Sequence, residues 1–155
     1  MKDIKYDVAV VGGGIVGLAT AYKLQLKYPT LNIIILEKEK ELAFHQTGRN
    51  SGVIHSGLYY NPGSFRAKNC VDGRKQLTEF AKKNQIDYDV CGKIILATNL
   101  IEKDRLSELK IRGEQNGLIG LQIIGKDKIK EIEPFAEGVE ALFVPEAGTI
   151  DYKAV

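Results

Sequence analysis

One stretch near the N-terminus constrains this chain more than any other. Tyr6-Asp-Val-Ala-Val-Val11 is a short, β-rich apolar run that passes without a break into Gly12-Gly-Gly-Ile-Val-Gly17. An apolar run ending in glycines reads as a buried parallel strand turning sharply. Beyond the glycines, Ile15, Leu18, Ala19, Tyr22 and Leu26 recur at the spacing of one buried helix face. Pro29 stops that helix, and Leu31-Asn-Ile-Ile-Ile-Leu36 supplies a second apolar strand. Strand, helix and strand in this order predict a right-handed crossover between parallel neighbours.

Each glycine has its own task in such a turn. Gly12 allows the tight exit from the strand, Gly14 lets backbone approach a pyrophosphate, and Gly17 lets helix and strand pack closely. Phosphates would sit at the turn formed by Gly12, Gly13, Gly14, Ile15, Val16 and Gly17, on free N–H groups at the positive end of the helix. The second strand ends in Glu37, about 20 residues beyond Gly17, where a carboxylate can accept from both ribose hydroxyls and would repel a 2′-phosphate. Strand, turn, helix, strand and acid together predict a dinucleotide site; the glycines alone would suit any tight turn. Lys38 follows as a candidate adenosine-side contact, or as a solvated charge. The glycines and Glu37 do not choose between FAD and NAD.

Composition bounds the rest. The 155 residues are 44% hydrophobic and 27% charged, an ordinary globular balance. A net charge of +2 without like-charge runs argues against nucleic acid as a partner. The charged start Met1–Asp7 leads straight into a strand, which argues against a signal peptide, and no apolar stretch approaches a membrane span. Cys70 and Cys91 fall in different elements and read as reduced, half-buried residues of a cytoplasmic protein, with no metal site; a disulfide between them is the alternative.

Residues 42–62 have little periodicity but carry Gly48, Gly52, Gly57, Pro62 and both histidines, the composition of a functional loop. A helix is expected from Ser64 to Asn84, with Ala67, Cys70, Val71, Leu77, Phe80 and Ala81 on one face. A strand follows at Lys93–Ala97, then a helix at Lys103–Asn116 with Gly117 at its C′ position. Asp127 is placed to N-cap a short helix that Pro134 stops, and Val139–Val144 is a last strand.

His45-Gln-Thr-Gly-Arg-Asn-Ser-Gly-Val-Ile-His-Ser-Gly-Leu-Tyr-Tyr60, read with the glycine turn, resembles the L-2-hydroxyglutarate dehydrogenase/oxidase family, within the D-amino-acid-oxidase-like FAD enzymes. Cys91-Gly-Lys-Ile-Ile-Leu-Ala97 and Gly148-Thr-Ile-Asp-Tyr152 fit the same pattern, so the likeness runs from Asp7 to the last residue. Arg49 stands where some members carry histidine and is given no catalytic role.

The resemblance implies an α/β, Rossmann-like FAD-binding domain of the glutathione-reductase type, with the beginning of a second, α+β substrate domain. Residues 1–90 would belong to the first and residues 91–155 to the second. It implies FAD rather than NAD. His45, Gln46 and Thr47 would lie along the ribose and pyrophosphate, and Asn50, Ser51 and Gly52 would carry the chain under the phosphates toward the flavin. His55 would fall near the flavin ring as a base, or as a histidine that only packs beside it, and Tyr59 and Tyr60 would line or buttress the site. The implied reaction oxidises a small 2-hydroxy acid, L-2-hydroxyglutarate, to the 2-oxo acid. A hydride goes to flavin N5, and the electrons leave to oxygen or a quinone-type acceptor.

No second flavin-contacting segment is visible, so the chain is expected to be the N-terminal portion of a longer enzyme and inactive by itself. Left open are a second chain completing the site, peripheral association with the inner membrane, and FAD-dependent amine, amino-acid or glycerol-3-phosphate oxidation as the chemistry. An NAD-dependent dehydrogenase and a non-catalytic remnant are the readings from other classes.

Overall fold

The computed structural model describes residues 5–155; Met1–Ile4, the first part of the charged start read above as arguing against a signal peptide, lies outside them. The chain divides into two compact units, one running to Ser51 and including Asp151–Val155, the other spanning Gly52–Ile150. The boundary expected at residues 90 and 91 falls inside the second unit.

The first unit contains β1 (Val8–Val11), α1 (Ile15–Lys27) and β2 (Ile33–Leu36). β1 and β2 are parallel, with Val8 opposite Ile33 and Val11 opposite Leu36. The crossover expected from the sequence is present. Helix α1 ends at Lys27, where the Tyr28 N–H donates to the Leu24 carbonyl at 2.7 Å, just before Pro29.

Two expectations about burial need correction. Ala21 is the buried residue of α1, flanked by half-buried Leu18 and Leu24, whereas Ala19, Tyr22 and Leu26 are exposed. The cause is Gly17. A Cβ there would overlap the Gly12 carbonyl and lie 3.4 Å from Val10 Cγ1, so position 17 faces β1 and fixes the helix rotation. The strand pair is also not buried on both faces, since α1 covers one and Val11 is 83% exposed.

In the second unit the elements are β3 (Val53–Ile54), α2 (Phe65–Lys83), β4 (Tyr88–Asp89), β5 (Lys93–Ala97), α3 (Leu100–Gln115), β6 (Gln122–Gly125), α4 (Lys126–Ile132), β7 (Glu140–Val144) and β8 (Gly148–Ile150). They make two antiparallel three-stranded sheets, ordered β3-β8-β4 and β5-β7-β6. Alternate residues of β7 serve opposite faces. Leu142 and Val144 join Leu58, Ala97, Leu106, Leu118 and Leu121 in the main core, while Ala141 packs with Ile124 of β6 and Ile129 of α4.

Helix α2 starts where expected, the Ser64 hydroxyl accepting from the Ala67 N–H at 3.2 Å. Helix α3 starts earlier than Lys103. Asn99 Oδ1 accepts from the Glu102 N–H at 3.0 Å, and the Glu102 carboxylate accepts from the Thr98 N–H at 2.7 Å and its hydroxyl at 2.8 Å. This near-reciprocal cap recruits a first turn whose Leu100 and Ile101 are exposed and so invisible to periodicity. The N-cap of α4 is Gly125, not Asp127; Asp127 sits in the first turn, where its charge still suits the helix dipole. Cys70 is half-buried as expected, but Cys91 is exposed, and both are free thiols.

Candidate functional site

The glycine turn in the first unit is held open by its neighbours. Gly12 has φ of +105°, and its N–H donates to the Leu36 carbonyl at 2.8 Å, locking the turn to the end of β2. That conformation suits glycine and strains any residue with a Cβ. The Gly13 N–H donates to Glu37 Oε2 at 2.6 Å, and the Gly13 carbonyl accepts from the Ala43 N–H at 2.9 Å. Glu37 Oε1 accepts from the Glu39 N–H at 3.0 Å. The donations from Glu39 and then Gly13 hold the Glu37 carboxyl below the usual carboxylate range, so it is ionised at neutral pH. Each carboxylate oxygen has accepted one of these bonds and retains a further lone pair for a hydroxyl donor.

At the start of α1, Thr47 Oγ1 accepts from the Ile15 N–H at 3.0 Å. The first helical bond runs from the Leu18 N–H to the Gly14 carbonyl at 3.0 Å. Val16 and Gly17 therefore present N–H groups ahead of the helical ladder, at its positive end. An open depression of about 430 Å³ lies against this turn, lined by Gly12, Gly14, Ile15, Val16, Gly17 and Thr47, with Val10, Val11 and Thr20. A Cβ on Gly14 would come to 3.2 Å from the Thr47 hydroxyl. The geometry fits the pyrophosphate of a dinucleotide: small residues and unspent N–H donors line one concavity, and Glu37 is tied to the same turn through the Gly13 N–H.

The loop residues take distinct positions. Gln46–Gly48 is a turn of 3-10 helix, and Asn50 Nδ2 donates back to the carbonyls of Thr47 at 2.7 Å and Gln46 at 3.3 Å. Asn50 thus shapes the loop that delivers Thr47. His45 Nε2 lies 2.8 Å from Glu39 Oε1, a contact that pulls the Glu39 carboxyl down, and Lys38 Nζ sits 3.4 Å from the same oxygen. The sequence-derived candidates Gly12 to Gly17, Glu37, Lys38, His45, Gln46, Thr47, Asn50 and Ser51 all lie in the first unit; Gly52 and His55 lie in the second.

In the second unit, Gly52 has φ of +69° and its carbonyl accepts from the Ile150 N–H at 2.8 Å. His55 is exposed, and its imidazole makes no hydrogen bond or ion pair among the described residues. Its backbone is anchored by the Cys70 thiol, which donates to the His55 carbonyl at 3.4 Å. Asn116 Nδ2 clamps the next turn through the carbonyls of Gly57 at 3.1 Å and Tyr60 at 2.9 Å. Arg74 was not among the expected residues. It is buried, donating to Glu146 Oε1 at 2.8 Å and to the Glu146 carbonyl at 3.1 Å. Its signal was an arginine interrupting the Cys70, Val71, Leu77 stripe of α2.

Residues 7–155 match the family model described as FAD dependent oxidoreductase. The chain is 48% identical over 150 residues to an L-2-hydroxyglutarate dehydrogenase of Indibacter alkaliphilus, a match covering 97% of this chain and 38% of that protein. It is 50% identical to the human mitochondrial L-2-hydroxyglutarate dehydrogenase over 97% of this chain and 32% of that protein. Among solved structures, dithionite-reduced L-alpha-glycerophosphate oxidase from Mycoplasma pneumoniae with FAD bound superimposes with a TM-score of 0.85 at 33% identity, covering 95% of this chain and 39% of that one. The chain thus spans between about a third and two fifths of the length of these relatives. With a Rossmann-like glycine turn and a match from Asp7 to the last residue, this chain belongs to the FAD dependent oxidoreductase family.

Proposed function

We propose that this chain carries the ADP half of an FAD site and the start of a substrate site in an enzyme that oxidises L-2-hydroxyglutarate to the 2-oxo acid. The observation that supports the substrate is the 48–50% identity to L-2-hydroxyglutarate dehydrogenases over 97% of the chain. Glu37 would accept from the ribose hydroxyls, and the Val16 and Gly17 N–H groups would face the pyrophosphate, with Thr47 fixing the turn. His45 and Gln46 would lie along the ribose and pyrophosphate, Asn50, Ser51 and Gly52 would carry the chain toward the flavin, and Lys38, paired with Glu39, would lie at the adenosine end. When bound, FAD supplies the two-electron acceptor. His55, exposed and with an imidazole free of partners among the described residues, would take the hydroxyl proton of the substrate.

Glu37→Gln is expected to weaken FAD binding about 10-fold or more, as charge-assisted bonds to the ribose are lost. Titration of the apoprotein, made from the complete reading frame, checks this; unchanged affinity would remove Glu37 from the site. The wild-type protein should lose its oxidised-flavin absorbance when mixed anaerobically with L-2-hydroxyglutarate. His55→Ala should still hold FAD but reduce it about 10²–10⁴-fold more slowly. A normal rate would leave His55 as a packing residue.

The relatives are named dehydrogenases, which supports a quinone-type acceptor over oxygen for the electrons. No helix among the described residues is long and apolar enough to cross a membrane. Glycerol 3-phosphate is the second substrate reading, supported by the structural likeness at 33% identity.

A further inference from the structure

The second unit holds a half-buried cation with no carboxylate partner among the described residues. Lys93 opens β5 on the same face as Ile95 and Ala97, which enter the main core. Its stem is half-buried, and Nζ comes to 4.7 Å from the centre of the Tyr59 ring. Lys93 has no carboxylate within ion-pair distance among the described residues, and unlike the exposed and equally unpaired Lys68, Lys75 and Lys82 it is half-buried. Its neighbours do not neutralise it. Burial pushes the Cys70 thiol up, so that group is uncharged, and Arg74 adds a second cation whose own charge is matched by Glu146. Desolvation pulls the Lys93 ammonium down, the direction an anion would reverse.

The position is informative as well as the charge. Tyr59 is 51% exposed, so part of the ring that the ammonium faces is accessible to solvent. Cys70, which senses Lys93, also holds the His55 carbonyl at 3.4 Å. A half-desolvated ammonium, an aromatic wall and the His55 backbone therefore belong to one neighbourhood of the second unit. An ammonium stripped of part of its water binds a carboxylate more strongly than a solvated one, because less hydration is lost on pairing.

We propose that Lys93 is a substrate-binding residue whose ammonium holds a carboxylate of the dicarboxylic 2-hydroxy acid against the Tyr59 ring. This rests on the substrate reading given above. Lys93→Met keeps a stem that packs on Tyr59 and removes the charge; Lys93→Arg keeps the charge. The probe is glutarate, a dicarboxylate without the reacting hydroxyl, titrated into the FAD-loaded protein from the complete reading frame and followed by the flavin absorbance spectrum. KM and kcat for L-2-hydroxyglutarate are measured alongside.

For Lys93→Met, glutarate binding should weaken and KM should rise by about 10- to 100-fold, with bound FAD and melting temperature unchanged. Lys93→Arg should recover much of that loss. Wild-type glutarate affinity and KM in Lys93→Met would overturn the proposal while leaving the substrate reading intact. So would loss of FAD or of folding in both Lys93→Met and Lys93→Gln, because the residue would then be structural. A wild-type protein that L-2-hydroxyglutarate does not reduce would overturn the substrate reading itself, and this assignment with it.

Discussion

Gly17→Ala is expected to cost at least about 3 kcal/mol of stability and to abolish FAD binding, because the added methyl meets backbone, not a movable side chain. A Cβ at position 17 overlaps the Gly12 carbonyl, and relieving that overlap would push α1 off β1 and open the turn. Gly13→Ala provides the comparison. Its methyl would come to 2.5 Å from Leu42 Cδ2 and 3.1 Å from Glu37 Oε2. Leu42 is exposed and its tip can swing aside, so that variant should lose less stability. Thermal melts and flavin content of the two variants check the order. A Gly17→Ala protein that melts like wild type and retains FAD would show that the helix–strand approach is looser than described.

A comparable loss is expected from Arg74→Met, which leaves the Glu146 carboxylate without its cation. Arg74 is 8% exposed, and it joins α2 to the turn between β7 and β8. The other Glu146 oxygen accepts from the Ile119 N–H at 3.0 Å, so one ion pair organises three segments. Removing one partner of a buried pair costs about 3–5 kcal/mol; the lower end applies here because Glu146 is partly solvated. Arg74→Met/Glu146→Gln should recover part of the loss, since no uncompensated charge remains. Denaturant melts of the single and double variants measure both effects. A change below about 1 kcal/mol for Arg74→Met would mean that the pair is no more than a surface bridge.

What could be read from the sequence divides along physical lines. The β1–α1–β2 crossover was legible because local periodicity and three turn glycines agree, and Glu37 followed from the same spacing. The inward face of α1 was not, because Gly17 carries no hydrophobic signal yet its contact with Gly12 sets the helix rotation. Strands β3, β4 and β8 were hidden for a different reason. They are two or three residues long and exist through distant pairs such as Val53 with Thr149 and Tyr88 with Ile150. Thr47 was expected along the pyrophosphate; that its hydroxyl takes the Ile15 N–H needed the folded loop. Lys93 read only as the first residue of a strand. Its meaning comes from what surrounds it, a ring and a thiol brought from 34 and 23 positions earlier in the chain.

The most direct measurement is anaerobic mixing of the FAD-loaded protein, made from its complete reading frame, with a panel of reductants. The panel comprises L-2-hydroxyglutarate, its D enantiomer, glycerol 3-phosphate and an L-amino acid, each followed by loss of the oxidised-flavin absorbance. Rapid bleaching by L-2-hydroxyglutarate, with little or none by the other three, is the expected result. Bleaching by glycerol 3-phosphate or the amino acid, with L-2-hydroxyglutarate inert, would contradict it.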